Sequence, residues 1–183
     1  MLNTFVVYVE NKPGVLTRVA SLFRRRAFNI DSLTVGRTEK PEVSRMTITV
    51  DADHDQALRI EANLYKLVNV LLVENITNQP AILRDLAMIK VAATHEARSH
   101  VLELASVFRA RVVDVAPESL TIEITGAEDK IDGLLEVLRP YGVLEMVRTG
   151  IVAMRRGSKS SEVAATAGAM TQETAGDDVS YSV

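Results

Sequence analysis

The chain has 183 residues, 47% of them hydrophobic and none of them cysteine, and its formal net charge at pH 7 is −3. The lack of cysteine excludes disulfides, thiolate metal sites and a cysteine nucleophile. No apolar run approaches the roughly 20 residues that span a bilayer, and no basic-then-apolar secretory leader is present, so a cytoplasmic protein is expected.

The first elements are a strand, a turn and a helix. Residues 2–10 are rich in β-branched and aromatic residues, and the sequence Asn-Lys-Pro-Gly then ends the strand at Asn11 to Gly14. From Gly14, apolar residues recur at the i, i+3, i+4 and i+7 positions of an amphipathic helix, which is predicted to end near Ala27. Its apolar positions are Leu16, Val19, Ala20 and Phe23.

Two strands, a helix and a strand complete this unit. One strand is predicted over residues 29–38. Another is predicted over residues 43–50, because this segment alternates apolar and polar residues. Asp53 or Asp55 then caps a helix, and residues 68–77 form the closing strand. The order βαββαβ predicts a ferredoxin-like α+β unit, with both helices on one face of an antiparallel sheet.

The same order returns in the second half. Strands over residues 86–93, 112–115, 120–125 and 143–154 are interleaved with two helical patterns. We therefore predict tandem domains over residues 1–78 and 79–157. Each unit is small and leaves one sheet face and its edges open, so at least a homodimer is expected.

Residues 158–183 differ in composition from the rest. They carry one base and four acids, which leaves residues 1–157 with 20 bases and 20 acids. A balanced folded part argues against nucleic acid as a partner, because such a surface needs a basic excess. This segment is rich in Ala, Ser, Thr and Gly without an apolar period, so a disordered tail is predicted.

Candidate catalytic and metal-binding motifs fail on spacing. His95 and His100 lie five residues apart, whereas zinc-binding helices place two histidines at i and i+4. The acidic run from Asp51 to Asp55 lacks the Gly and Glu of a calcium loop, and helix capping explains it better. Arg24, Arg25 and Arg26, with Arg18 one or two turns earlier, could form a patch for nucleic acid or an acidic partner, but basic residues at a helix C-terminus are the favoured explanation.

The turn from the first strand into the first helix remains. Gly14 lets a ligand approach the backbone, the N–H groups at the helix start favour a carboxylate, and Asn11 adds an amide. Such a site suits the charged end of an amino acid. A small apolar pocket could be lined by Val15, Leu16, Ile30 and Leu33. A plain Pro-Gly turn before a helix explains the same residues equally well.

Three segments in order resemble the ACT domain of the small regulatory subunit of acetolactate synthase (acetohydroxyacid synthase). They are Val9-Glu-Asn-Lys-Pro-Gly-Val-Leu16, Phe28-Asn-Ile-Asp-Ser-Leu-Thr-Val35 and Ser44-Arg-Met-Thr-Ile48. Further segments are similar to that family's fourth strand and C-terminal domain, namely Lys66-Leu-Val-Asn-Val70, Phe108-Arg-Ala-Arg-Val-Val-Asp-Val115 and Gly150-Ile-Val-Ala-Met-Arg-Arg-Gly157.

The resemblance implies a non-catalytic subunit of a transferase. Such a subunit activates a catalytic large subunit in valine, leucine and isoleucine biosynthesis and confers feedback inhibition, usually by valine. Thiamine diphosphate, Mg and FAD would belong to that partner, and this chain would hold no cofactor. The resemblance places the effector between two ACT domains, with Asn11 and Gly14 from one chain and Asn29 from the other. Side-chain contacts would come from Val15, Leu16, Ile30 and Val35.

Two other classes of protein stay open. One is an amino-acid-sensing module of a transcription regulator, which would need a helix-turn-helix or another basic reader that the sequence does not supply. The other is an independent enzyme on the same scaffold, since a ferredoxin-like fold implies no function by itself.

Overall fold

The computed structural model describes residues 1–157 of the chain, and the predicted disordered tail lies outside this range. The first unit is an antiparallel four-stranded sheet in the order β2-β3-β1-β4. Its elements are β1 (Leu2–Glu10), α1 (Val15–Arg25), β2 (Ile30–Arg37), β3 (Val43–Asp51), α2 (His54–Leu64) and β4 (Val70–Asn75). This order confirms the predicted βαββαβ fold.

The two helices of this unit bury an apolar stripe against one face of the sheet. In α1 the buried residues are Val15, Val19 and Phe23, which follow one another at intervals of four. They pack with Phe5 and Ile48 of the sheet in a single core cluster. The predicted stripe began at Leu16, but Leu16 is 43% exposed, so the buried face of α1 is rotated by one residue at its start.

The start of α2 is fixed by a reciprocal cap. The Asp53 carboxylate accepts a hydrogen bond from Gln56 N at 2.7 Å, and the Gln56 side chain accepts one from Asp53 N at 2.9 Å. Asp53, and not Asp55, is therefore the capping residue, and two otherwise unpaired backbone donors are satisfied.

Replacing Asp53 with Ala should lower the free energy of unfolding by about 1 kcal/mol, the usual contribution of a side-chain cap. Urea-induced unfolding measures the change. Asp55→Ala is the matched control, because Asp55 lies in the first turn without capping it. Equal losses for both variants would show that charge at the helix start matters and the cap does not.

The second unit repeats the arrangement, with its four main strands in the order β6-β7-β5-β8 and its own core under two helices. Its elements are β5 (Ala81–Ala92), α3 (Arg98–Val107), β6 (Arg111–Val115), β7 (Ser119–Gly126), α4 (Glu128–Leu138), a short 3-10 helix (Arg139–Tyr141), β8 (Val143–Arg148) and β9 (Val152–Arg155). No helix in residues 1–157 is long and apolar enough to cross a bilayer.

The predicted last strand over residues 143–154 is wrong in one respect. It is divided into β8 and β9 by Gly150, whose φ of +85° turns the chain out of the sheet. The first four residues of β5 pair with β9, from Ala81 with Arg155 to Arg84 with Val152. For this reason β5 begins several residues before the predicted strand over residues 86–93.

This two-stranded ribbon of β5 and β9 packs on the open face of the first sheet. Ile151 and Ala153 form a buried cluster with Val6 and Ile76. Ile151 N donates a hydrogen bond to the hydroxyl of Ser32 at 3.0 Å. Part of that face is thus covered by the same chain, and β2 and β4 are the two edge strands of this sheet.

Candidate effector-binding site

The turn between β1 and α1 is fastened to the loop between β2 and β3. Asn11 N donates to Glu42 O at 2.7 Å, and the Asn11 side-chain Nδ2 donates to Pro41 O at 2.8 Å. One of the two N–H groups of this side-chain nitrogen is therefore used within the chain. The Asn11 Oδ1 is left as the group that could accept a hydrogen bond from a ligand ammonium.

Gly14 precedes α1 in a left-handed conformation, with φ of +81°, and no side chain caps this helix. A Cβ at Gly14 would meet nothing within 4 Å, so the space in front of the helix is open. Val15 N donates to Lys12 O at 3.4 Å. The N–H groups that follow it in the first turn lack intrahelical partners and lie at the positive end of the helix dipole. This combination provides a place for a carboxylate.

A polar network supports one side of the turn. The Glu10 carboxylate accepts hydrogen bonds from Lys12 Nζ at 3.1 Å and from Asn69 Nδ2, and Arg18 Nη1 donates to Asn69 Oδ1 at 2.6 Å. The bond from Asn69, followed by the one from Lys12, lowers the pKa of Glu10 below 4.5. Sequence reasoning missed this network, although Asn69 lies in one of the segments that carried the family resemblance.

The lowered pKa of Glu10 has a consequence for stability. The folded chain favours the ionised form of Glu10, so the carboxylate contributes to the free energy of unfolding at neutral pH. This contribution is lost as pH falls through the pKa that Glu10 has in the folded chain. We expect wild-type stability to fall more steeply than that of Glu10→Gln in the acidic range below the ordinary glutamate pKa. Thermal unfolding across this range tests it, and parallel curves would contradict it.

The predicted pocket residues separate into two groups. Val15 is only 4% exposed and lies in the core, and Ile30 and Leu33 pack against the same core from its margin. Leu16 and Val35, in contrast, are 43% and 42% exposed. Among the predicted apolar contacts, Leu16 and Val35 therefore have the largest exposed fraction of side chain that a ligand could contact.

Asn11 and Asn29 lie at opposite ends of the first sheet. Glu10, just before Asn11, pairs with Val43, whereas Ile30, just after Asn29, pairs with Val50, which in turn pairs with Asn3. Seven strand residues separate these ends, or about 24 Å along the strand. One small ligand cannot contact both asparagines of the same chain.

Comparison with known proteins identifies both units. Residues 5–72 match the family model described as an AHAS small subunit-like ACT domain, and residues 84–157 match the one described as the small subunit of acetolactate synthase. A probable acetolactate synthase small subunit of Archaeoglobus fulgidus is 50% identical over 159 residues, which are 87% of this chain and 99% of that protein.

Other relatives agree. The acetolactate synthase small subunit of Mycolicibacterium smegmatis is 47% identical over 157 residues, which are 86% of this chain and 92% of that protein. The crystal structure of the Thermotoga maritima small subunit superposes with a TM-score of 0.81 at 40% identity and covers 87% of this chain and 99% of that one.

The first unit is thus an ACT domain, followed by the C-terminal domain that accompanies it in these relatives. The chain belongs to the family of acetolactate synthase small subunits.

Proposed function

We propose that the chain is a non-catalytic, cytoplasmic regulatory subunit that activates the thiamine-diphosphate-dependent large subunit of acetolactate synthase. In the same assembly it confers feedback inhibition by a branched-chain amino acid, with valine as the first candidate. Family membership supports a catalytic partner, since the relatives are named small subunits of that enzyme. Thiamine diphosphate, Mg and FAD belong to the partner in this proposal.

The observation that carries the sensing role is the position of Asn29 relative to Asn11. The two lie at opposite ends of the sheet, and β2, which Asn29 precedes, is an edge strand. If two β2 edges pair antiparallel about a two-fold axis, the start of one strand lies beside the end of the other. The pairing brings Asn29 of one chain to the Asn11 end of its partner.

The effector is held between charged and apolar groups in this arrangement. Its carboxylate lies against the first-turn N–H groups of α1 beyond Gly14, and its ammonium faces Asn11 Oδ1. The second chain contributes Asn29. Leu16, in the first turn of α1, and Val35, on β2, are half-exposed and provide apolar surface that suits a short branched side chain.

Inhibition then follows from a difference in affinity between two arrangements of the dimer. A ligand that bridges two chains shifts their equilibrium only by that difference. A coupling of about 1 to 3 kcal/mol corresponds to a change in activity of roughly 5 to 150 fold. Valine binding therefore favours the arrangement of the ACT dimer in which the large subunit is less active.

Isothermal titration of the purified chain with valine, leucine and isoleucine tests the ligand class. Asn29→Ala should abolish binding and feedback inhibition yet leave stimulation of the large subunit in place, because Asn29 is exposed and outside both cores. Equal loss of inhibition and stimulation would contradict this division of roles.

Mixing two defective chains tests whether the site is shared. Gly14→Asp and Asn29→Ala each remove one half of the site, so neither variant alone should bind valine. A mixed pair contains one site with both defects and one site with none. Valine binding should therefore reappear on mixing and subunit exchange, and a mixture that stays silent would show that the site is not shared between two chains.

A further inference from the structure

A basic groove lies between α1 and α2, on the face of the ACT domain away from the sheet. Its walls carry Arg18, Arg25, Arg26 and Lys66, and two leucines, Leu22 and Leu67, lie among them. The groove has a volume of about 440 Å³ and no acidic residue in its lining. Both leucines are partly buried against the core of the first unit.

The four cations of the groove have no carboxylate partner among the residues that the structure describes. Within residues 1–157 none of them takes part in an ion pair. Arg18 donates to the amide oxygen of Asn69 at 2.6 Å, and Lys66 donates to that of Asn63 at 3.2 Å. Like charges collected in one groove repel each other, and a bound anionic group would relieve that repulsion.

Stabilisation of the helix explains only part of this cluster. Arg25 is in the last turn of α1, where a cation interacts favourably with the helix dipole, and Arg26 follows it as the C-cap. Arg18 lies in the first half of α1, and Lys66 lies beyond the end of α2. Lys66 directly follows Tyr65, the C-cap of α2, where the same dipole interaction applies, so Arg18 alone cannot be assigned to that role.

The extent of the groove indicates what it binds. Arg18 and Arg26 are separated by about 12 Å along the helix axis, which exceeds the size of a single phosphate. The interposed leucines add an apolar floor. Basic residues alternating with leucine match an extended or helical protein segment that carries acids beside apolar side chains. A compact inorganic anion would use only part of the groove.

We propose that this basic groove is the docking surface for an acidic, partly apolar segment of the catalytic large subunit. The inference rests on the proposed function, because it identifies where the regulatory chain holds its partner. Arg18 also connects the groove to the effector turn, since it bonds Asn69, which bonds Glu10 next to Asn11. The effector turn and the groove are therefore linked through three hydrogen-bonded side chains.

The test reverses two groove charges in the full-length chain with Arg25→Glu and Arg26→Glu together. The concentration of this chain that half-maximally stimulates the large subunit should rise at least about tenfold. Arg24→Glu is the matched control, since Arg24 is on the same helix but does not line the groove. It should stay within about twofold of wild type, and valine titration should be unchanged for both variants. Thermal unfolding should shift to a slightly lower temperature for both, because each places negative charge at the C-terminal end of α1.

Three results would overturn or redirect the inference. If the double variant stimulates as wild type does, the groove is not the docking surface, whereas a wild-type chain that gives no stimulation defeats the proposed function itself. The Asp177→Asn and Asp178→Asn substitutions are also made together in both backgrounds. If the two Arg→Glu changes no longer weaken stimulation when these substitutions are present, the chain's own acidic C-terminal segment is the occupant of the groove, and the inference is wrong. If inorganic phosphate at millimolar concentration competes equally with the large subunit, a small anion is the ligand.

Discussion

Valine binding should fall at least about thirtyfold, or by about 2 kcal/mol, when Gly14 is replaced with Asp. The φ of +81° at Gly14 leaves open space in front of α1, so an Asp carboxylate would occupy the position that the effector carboxylate needs. Two like charges cannot share the helix N-terminus, and the aspartate is the one held in place covalently.

Gly14→Asn is the matched control for this experiment. Asn has nearly the same size as Asp and also tolerates the left-handed region, so the backbone cost is common to both variants. Isothermal titration should show a clearly weaker effect for Asn. If the two variants bind valine equally, the carboxylate of the ligand does not lie at the start of α1.

Gly150→Ala should lower the free energy of unfolding by about 2 to 4 kcal/mol. Gly150 has a φ of +85°, and a Cβ there would lie 2.6 Å from Ser32 Oγ and 3.0 Å from Thr34 Oγ1. The neighbouring Ile151 N bonds the same Ser32 hydroxyl, so the added methyl group pushes the β5–β9 ribbon off the first sheet. Both backbone strain and crowding contribute.

Gly142→Ala separates these two contributions. Its φ of +93° imposes similar strain, but its Cβ would meet only Ala92 Cβ at an ordinary 3.7 Å. Urea unfolding should show a loss near 1 to 2 kcal/mol, from backbone strain alone. Equal losses would mean that contact between the domains adds nothing to stability.

Local pattern was sufficient for most elements of the fold. The apolar–polar alternation of β3 extends over several residues, and the helical period of α1 extends over several turns. An error at the end of either segment therefore does not change whether it is predicted as a strand or a helix. The same pattern did not reveal the break at Gly150, because the apolar run from Ile151 to Met154 resembles the continuation of a strand. The partners of Ile151 and Ala153 are Val6 and Ile76, far away in sequence.

The candidate site was predictable only in its local part. The Asn-Lys-Pro-Gly turn specifies an open helix start by itself, and the structure has that geometry. Which side chains face outward depends on packing: Val15 was a predicted contact but is in the core, and Leu16 next to it is exposed. The link from Glu10 through Asn69 to Arg18 requires β4 beside β1, which no local motif encodes.

Reconstitution with the large subunit of acetolactate synthase tests the central claim most directly. Acetolactate formation is measured for this chain alone, for the large subunit alone and for the mixture, each with and without valine. We expect no product from this chain alone, a faster rate in the mixture than in the large subunit alone, and inhibition by valine only where this chain is present. Product from this chain alone, or valine inhibition of the large subunit without it, would contradict the account.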